Sequence, residues 1–199
     1  MIRSRPAMRL AAVLISFVLL ADALPAAAQD LHPSRRPSPI GIARTHLGDT
    51  YVKVTYGRPY VRGRDIFGAP GGGTTYLVPF GEVWRTGANE ATELTTTGPL
   101  MVAGQRLDAG TYSVFTVPGP SAWEIRFSPQ LGLDGTAIFN PETGQVTPAY
   151  DESRDVLKVT LPTGRLDEPV DQFTIEFEDS ELVLSWERTE VRIPVARAS

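Results

Sequence analysis

Arginines are concentrated in two glycine-bearing segments near the middle of the chain, where they could bind an anion. Arg58, Arg62 and Arg64 follow one another closely in the first segment. Arg85 lies in the second segment, further along the chain. A guanidinium group carries several N–H donors in one plane and can bind a carboxylate or a phosphate with two hydrogen bonds. Because loops between strands often carry binding residues, these segments are predicted to bind a small polar or anionic ligand.

Other side chains in the two segments also suit ligand recognition. Trp84 could stack on a ring or a sugar face, and Asn89 could orient a ligand through its amide. The alternative is that Trp84 belongs to the core and that Arg85 pairs with a neighbouring acid, Glu82 or Glu90. The predicted ligand-binding residues are Arg58, Tyr60, Arg62, Trp84, Arg85, Asn89 and Glu90.

Acidic residues near these arginines leave a second function open. Asp65, Glu82 and Glu90 could supply a pair of carboxylates. A hydrolase that cleaves glycosidic bonds uses such a pair as its catalytic acid and base. Whether two carboxylates lie at the required separation depends on the fold. A third possibility is a structural or partner-binding module of the cell envelope, in which the same side chains serve folding. The sequence does not decide whether the protein is an enzyme.

The chain has few of the side chains that usually bind a metal ion or a cofactor. It has no cysteine and only two histidines, His32 and His46, so a thiolate or histidine-rich site is excluded. Three acids, Asp151, Glu152 and Asp155, do not follow the spacing of a calcium-binding loop. No metal and no cofactor is therefore predicted.

The first 28 residues resemble a secretory signal peptide. A basic start is followed by the apolar stretch Leu10–Leu20 and by Ala26–Ala28, a small-residue cleavage site. The apolar run of 12 residues, 10–21, is shorter than the roughly 20 residues that cross a bilayer. The protein is therefore predicted to be exported, to the periplasm or outside the cell, without a membrane span after signal cleavage.

Cleavage would leave 171 residues with a formal charge of −6, because three arginines and Asp22 are removed. This length suits one domain, and the negative charge opposes nucleic-acid binding. Residues 29–39 are rich in proline and serine and are predicted to form a flexible leader. Residues 40–199 are predicted to form a single β domain. Because the chain has no cysteine, no disulfide can stabilise this domain, and its apolar core must hold it together.

Apolar and polar residues alternate along much of this domain. Val52, Val54 and Tyr56 share one face of a predicted strand, and Phe173, Ile175 and Phe177 share one face of another. Such alternation is typical of antiparallel strands with one buried face. Two stretches without alternation, 62–75 and 132–151, are predicted loops. The pattern predicts an all-β fold, a single antiparallel β-sandwich or jelly-roll-like barrel of about eight or nine strands.

The order of several motifs resembles that of a known bacterial family. These motifs are Val54–Pro59, Val61–Gly68, Leu77–Thr92 and Ala109–Gly119, and the similarity extends over roughly residues 40 to 195. They resemble the family called domain of unknown function 2911, whose members are exported proteins without an assigned reaction. The resemblance implies that Arg58, Arg85 and Asn89 belong to the family pattern, and it implies no catalytic role.

Overall fold

The computed structural model describes residues 35–199, which are almost entirely β-structure. The predicted signal peptide, residues 1–28, and the first part of the predicted leader lie outside the described residues. From residue 35 onward, no helix has both the length and the apolar character that crossing a membrane requires. One short 3-10 helix, Glu152–Arg154, precedes the longest strand. The strands in this range are β1 (Ile40–Leu47), β2 (Thr50–Gly57), β3 (Phe67–Gly68), β4 (Val78–Pro79), β5 (Thr92–Thr96), β6 (Leu100–Val102), β7 (Gln105–Leu107), β8 (Gly110–Val117), β9 (Ala122–Ser128), β10 (Ala137–Phe139), β11 (Val146–Pro148), β12 (Leu157–Glu178) and β13 (Glu181–Arg197).

Nine of these strands form one continuous sheet in the order β1-β2-β5-β8-β9-β12-β13-β6-β7. Every pairing within this sheet is antiparallel. The other strands form two small ribbons, β3 with β4 and β10 with β11. The predicted all-β fold is confirmed, and the described strands do not close into a barrel, which is consistent with a sandwich.

Two long strands connect the parts of this sheet. β12 and β13 have 22 and 17 residues, where the sequence pattern predicts several shorter strands. The start of β12 pairs with β9 and its later part pairs with β13, while the end of β13 pairs with β6. Register shifts between Arg165 and Val170 and between Val170 and Thr174 mark bulges. Because a bulge bends a strand without ending it, one strand can take part in both halves of the sheet.

The later part of β12 also faces the first strands of the sheet, and Tyr56 joins the two. Its hydroxyl donates to the Ile175 carbonyl at 3.0 Å and accepts from the Ile175 N–H at 2.8 Å. Burial raises the pKa of this hydroxyl, which therefore stays protonated. Gly41 leaves room for the ring, since a Cβ at position 41 would lie 2.7 Å from its Cζ. A side chain thus satisfies backbone groups that would otherwise be buried without partners.

Five aromatic rings form the centre of the core. Trp84 stacks on Trp186 with ring centroids 5.7 Å apart, and both contact Phe173. Phe67 and Trp123 complete the cluster through edge contacts. Trp123 and Trp186 are buried, as their alternation with aliphatic residues predicts. Each ring comes from a different element of the chain, so the cluster ties the long strands to the loop that carries Trp84.

Candidate functional site

The two arginine-bearing segments meet at Gly57, the last residue of β2. A Cβ at position 57 would lie only 1.9 Å from the Ala88 carbonyl oxygen, and the Ala88 N–H donates to the Gly57 carbonyl at 3.4 Å. No side chain fits at such a backbone contact. The glycine therefore allows the segment after β2 to pack directly on the segment that contains Arg85.

The second segment is held in place by hydrogen bonds to β8 and by bonds within the segment. Trp84 exchanges backbone bonds with Thr116 at 2.8 and 2.9 Å, and the Trp84 indole N–H donates to the Gly87 carbonyl at 3.0 Å. Thr86 and Asn89 have positive φ angles of 56° and 62°. Left-handed residues in a loop persist only where surrounding contacts hold them. The segment thus has a defined shape rather than that of a freely moving loop.

A cavity of about 310 Å³ opens where the two segments meet. Three arginines from both segments line it, together with a phenol and two indoles, and no carboxylate lines it. We call it the arginine cavity. Its polar and aromatic lining residues include Tyr60, Arg62, Arg64, Trp84, Arg85 and Trp186. The lining therefore combines positive charge with hydrogen-bond donors and presents no side chain of opposite charge.

The three arginines of the cavity form no ion pairs within residues 35–199, although Glu90 is near enough to feel the charge of Arg85. Arg62 donates to the Pro37 carbonyl at 3.0 Å and lies over the Tyr60 ring, 5.7 Å from its centroid. Arg64 donates to the carbonyls of Tyr60 and Val61. None of the three forms an ion pair with a carboxylate from residue 35 onward. Hydrogen bonds to carbonyl groups orient a guanidinium group without cancelling its charge.

Two residues that line the cavity each have a buried N–H group without an acceptor. These groups are Nε of Arg85 and Nε1 of Trp186, neither of which has a hydrogen-bond partner among the described residues. Trp186 is only 1 % exposed. Leaving a buried donor unpaired costs about 1 to 3 kcal/mol, so such groups are rare away from functional sites.

The other predicted ligand-binding residues contact the chain itself. Residues 36–39 lie against the domain, and we call them the N-terminal strap. Asn89 donates to the Ser38 carbonyl at 3.0 Å. Arg36 Nη1 donates to both carboxylate oxygens of Glu90, at 2.7 and 2.5 Å. Arg58 instead donates to the Phe173 carbonyl at 3.2 Å and to the Thr174 hydroxyl at 2.9 Å.

The strap is also part of the cavity. Pro37 and Ser38 line it, and their carbonyls are the groups that Arg62 and Asn89 bind. The backbone N–H of Arg58 adds a bond of 2.8 Å to the Pro39 carbonyl. Four of the seven predicted residues therefore hold this segment in place as one wall of the cavity, in the part of the leader that the structure describes.

Acidification is expected to loosen the strap. The hydrogen bond from Arg36 holds the pKa of the Glu90 carboxyl below its ordinary value. A carboxyl with a lowered pKa stabilises the folded arrangement above its ordinary pKa, and this contribution is lost as the pH falls through the lowered value. The strap should therefore stay in place at neutral pH and loosen only as the pH falls below the ordinary pKa of a glutamate. NMR of the Asn89 side-chain amide, which donates to Ser38, would follow this change.

A pair of variants isolates the cause. Glu90→Gln is expected to shift the Asn89 amide signal already at neutral pH and to remove its pH dependence. Glu168→Gln, at an exposed position on β12, should leave both unchanged. An Asn89 signal that titrates in the same way in Glu90→Gln as in the unaltered protein would show that Glu90 does not hold the strap.

The remaining acids considered as catalysts or metal ligands have other roles. Asp65 and Glu82 are exposed and do not line the arginine cavity. Of the three clustered acids, Asp151 caps the 3-10 helix, Glu152 pairs with Arg126 at 2.8 Å, and Asp155 accepts from the Tyr150 hydroxyl at 2.5 Å. Within residues 35–199 no group of three acids or histidines could hold a metal ion.

Two members of the cavity were not among the seven predicted ligand-binding residues. One is Arg64, which lies in the first segment close to Arg62, and this position could have indicated its place in the cavity. Trp186 comes from β13, about a hundred residues after Trp84, and its alternation pattern indicates only burial. Nothing in the sequence indicated that Pro37 and Ser38 form a wall of the cavity, because a stretch rich in proline and serine predicts a linker.

The fold and the cavity define a class, namely a cysteine-free, antiparallel all-β domain with an arginine-lined cavity between two loop segments. A protein family described as protein of unknown function (DUF2911) matches residues 38–195. The chain belongs to this family, which confirms the resemblance seen in its motifs. No curated protein and no solved structure matches it. The family assigns no reaction, so function has to be inferred from the site.

Proposed function

We propose that the protein binds a small anionic ligand in the arginine cavity. The observation that carries the proposal is a charge imbalance: three guanidinium groups line a cavity of about 310 Å³ that contains no carboxylate. Ligand cavities in proteins begin at about this size. Arginine binds carboxylates and phosphates through paired hydrogen bonds, which favours a ligand with such a group. The signal-peptide pattern of residues 1–28 supports an exported location for this binding protein.

The unpaired donors support the same ligand class. Arg85 Nε and Trp186 Nε1 are buried N–H groups that an anion or a polar ligand would satisfy. Asn89 and Glu90 act in this proposal through the strap, because they hold Ser38 and Arg36 and thereby one wall of the cavity. Arg58 connects the first arginine-bearing segment to β12 through its side-chain hydrogen bonds. These three are therefore positioning residues, while Tyr60, Arg62, Arg64, Arg85 and Trp186 contact the ligand.

The arginine cavity gives the hydrolase alternative no support. Neither Glu82 nor Glu90 lines the arginine cavity. The pKa of Glu90 is lowered by its hydrogen bond to Arg36, so its carboxyl is ionised at neutral pH. A general acid requires the opposite change, a raised pKa. No specific observation favours the structural or partner-binding alternative over a ligand site.

A ligand screen tests the proposal. The purified protein is heated in the presence of sugar acids, dicarboxylates, aromatic carboxylates and phosphorylated sugars, and stabilising compounds are then measured by calorimetry. A ligand at a hundred times its Kd stabilises by about 2.7 kcal/mol. For a domain of this size we expect an increase in Tm of about 5 to 10 °C. The neutral alcohol or amide analogue of the same compound should bind much more weakly.

Two arginine variants separate the cavity from general charge. Arg85→Gln is expected to weaken binding at least about tenfold, because a charge-assisted hydrogen bond contributes about 1.5 to 3 kcal/mol. Arg44→Gln removes an exposed arginine of β1 that does not line the cavity and should leave the Kd unchanged. The proposal fails if no anion in the panel stabilises the protein, or if both variants weaken binding equally.

A further inference from the structure

A second cavity, of about 360 Å³, lies beside the bulges of the two long strands. Thr163 and Arg165 come from β12 and Thr189 from β13, and Arg165 lies opposite Thr189 in the strand register. The turn between β8 and β9 contributes Ser121. We call this the bend cavity. Bulges are frequent beside binding sites because they redirect side chains that a regular strand would place elsewhere.

The charged side chains of the bend cavity are two arginines, and no carboxylate lines it. Arg188 is oriented by its hydrogen bonds to the carbonyls of Leu166, at 3.3 Å, and Asp167. The side chain of Arg165 has no hydrogen bond or ion pair within residues 35–199. By contrast, Arg126 and Arg192 each pair with two or more acids. The bend cavity therefore keeps positive charge that other parts of the surface neutralise.

A buried donor is also left without a partner here. Trp123 lines the bend cavity, is 2 % exposed, and its indole N–H has no acceptor among the described residues. The hydroxyls of Ser121, Thr163 and Thr189 add groups that can donate to an oxygen atom. An N–H group buried in this way calls for an acceptor, since an unpaired one costs about 1 to 3 kcal/mol.

We propose that the bend cavity is a second binding site, which takes the oxyanion group of a small molecule. Arg165 and Arg188 supply the charge, the Trp123 N–H and the three hydroxyls supply neutral donors, and an oxyanion supplies acceptors for all of them. A phosphate, a sulfate and a carboxylate share this chemistry. The site is separate from the arginine cavity in its lining residues, so it does not depend on the function proposed above.

The test is an NMR titration of the full, isotope-labelled protein with inorganic phosphate, sulfate and citrate, at constant ionic strength set by chloride. The indole N–H signal of Trp123 is followed, because it reports a new acceptor directly. We expect a saturable shift with at least one anion. Tighter binding of phosphate and sulfate would assign the site to tetrahedral oxyanions, and tighter binding of citrate would assign it to carboxylates.

Variants decide which cavity holds the anion. Arg165→Gln, at an exposed position without contacts to lose, is expected to weaken the Trp123 titration about fivefold or more. Arg85→Gln, in the arginine cavity, should leave it unchanged. The proposal is overturned if the Trp123 signal shows no saturable shift with any of the three anions. It is equally overturned if Arg85→Gln weakens the titration and Arg165→Gln does not.

Discussion

Replacement of Trp84 by alanine is expected to lower the free energy of unfolding by about 3 to 5 kcal/mol, the range for large aromatic residues in cores. Trp84 stacks on Trp186 and meets Phe67, Trp123 and Phe173, and its own relative exposure is 9 %. Removal of the ring would leave a hole among four aromatic neighbours. Since a domain of this size has about 5 to 15 kcal/mol of stability, the variant should lose a large part of it.

Two further variants separate the packing of Trp84 from its hydrogen bond. Trp84→Phe keeps much of the aromatic contact but loses the bond from the indole N–H to the Gly87 carbonyl, and should cost about 1 to 3 kcal/mol. Leu131→Ala changes a side chain that is 49 % exposed and should have little effect. Urea denaturation of the three variants measures the differences. Equal stability of Trp84→Ala and Leu131→Ala would contradict the central position of this ring.

The change Gly57→Ala is expected to cost about 3 kcal/mol, the upper end of the usual range for overpacking. The added Cβ would meet the backbone carbonyl of Ala88 at 1.9 Å, and a backbone atom cannot rotate away as a side chain can. The two arginine-bearing segments would have to move apart. We therefore expect both a lower midpoint of denaturation and shifted backbone amide signals in the Arg85 segment.

Gly164→Ala provides a matched control for this steric effect. A Cβ at position 164 would lie 3.5 Å from the nearest atom, an ordinary contact, and the residue also lies in a strand. This variant is expected to be neutral or to gain up to about 1 kcal/mol, because alanine restricts the unfolded chain. If Gly57→Ala were as stable as Gly164→Ala, the close backbone contact would not be what holds the two segments together.

The sequence was sufficient for those parts of the structure that depend on local pattern. Val52, Val54 and Tyr56 of β2 are buried as their alternation predicts, because a strand places every second side chain on the same face. The turn at Asp179 and Ser180 was also predictable, since it separates two clearly alternating runs. The ordered motifs were specific enough to indicate the family before any fold was known.

Local pattern was less informative about strand length and number. The bulges after Arg165 and Val170 shift the register of β12 against β13, so the alternation breaks although the strand continues. A broken alternation looks the same in a sequence whether the chain turns or only bends. The ribbon of β10 and β11 lies in the predicted loop 132–151, and its short strands show no alternation to detect.

Residue types alone thus identified an arginine-bearing region, a cysteine-free β domain and its family, because composition and strand period are properties of neighbouring residues. Only the tertiary structure decided which side chains line one cavity and which hold the N-terminal strap. Arg62 and Trp186 are brought together by contacts between distant segments, and Glu90 acquires Arg36 as its partner in the same way. Such contacts depend on close packing of the whole chain, and no local pattern encodes them.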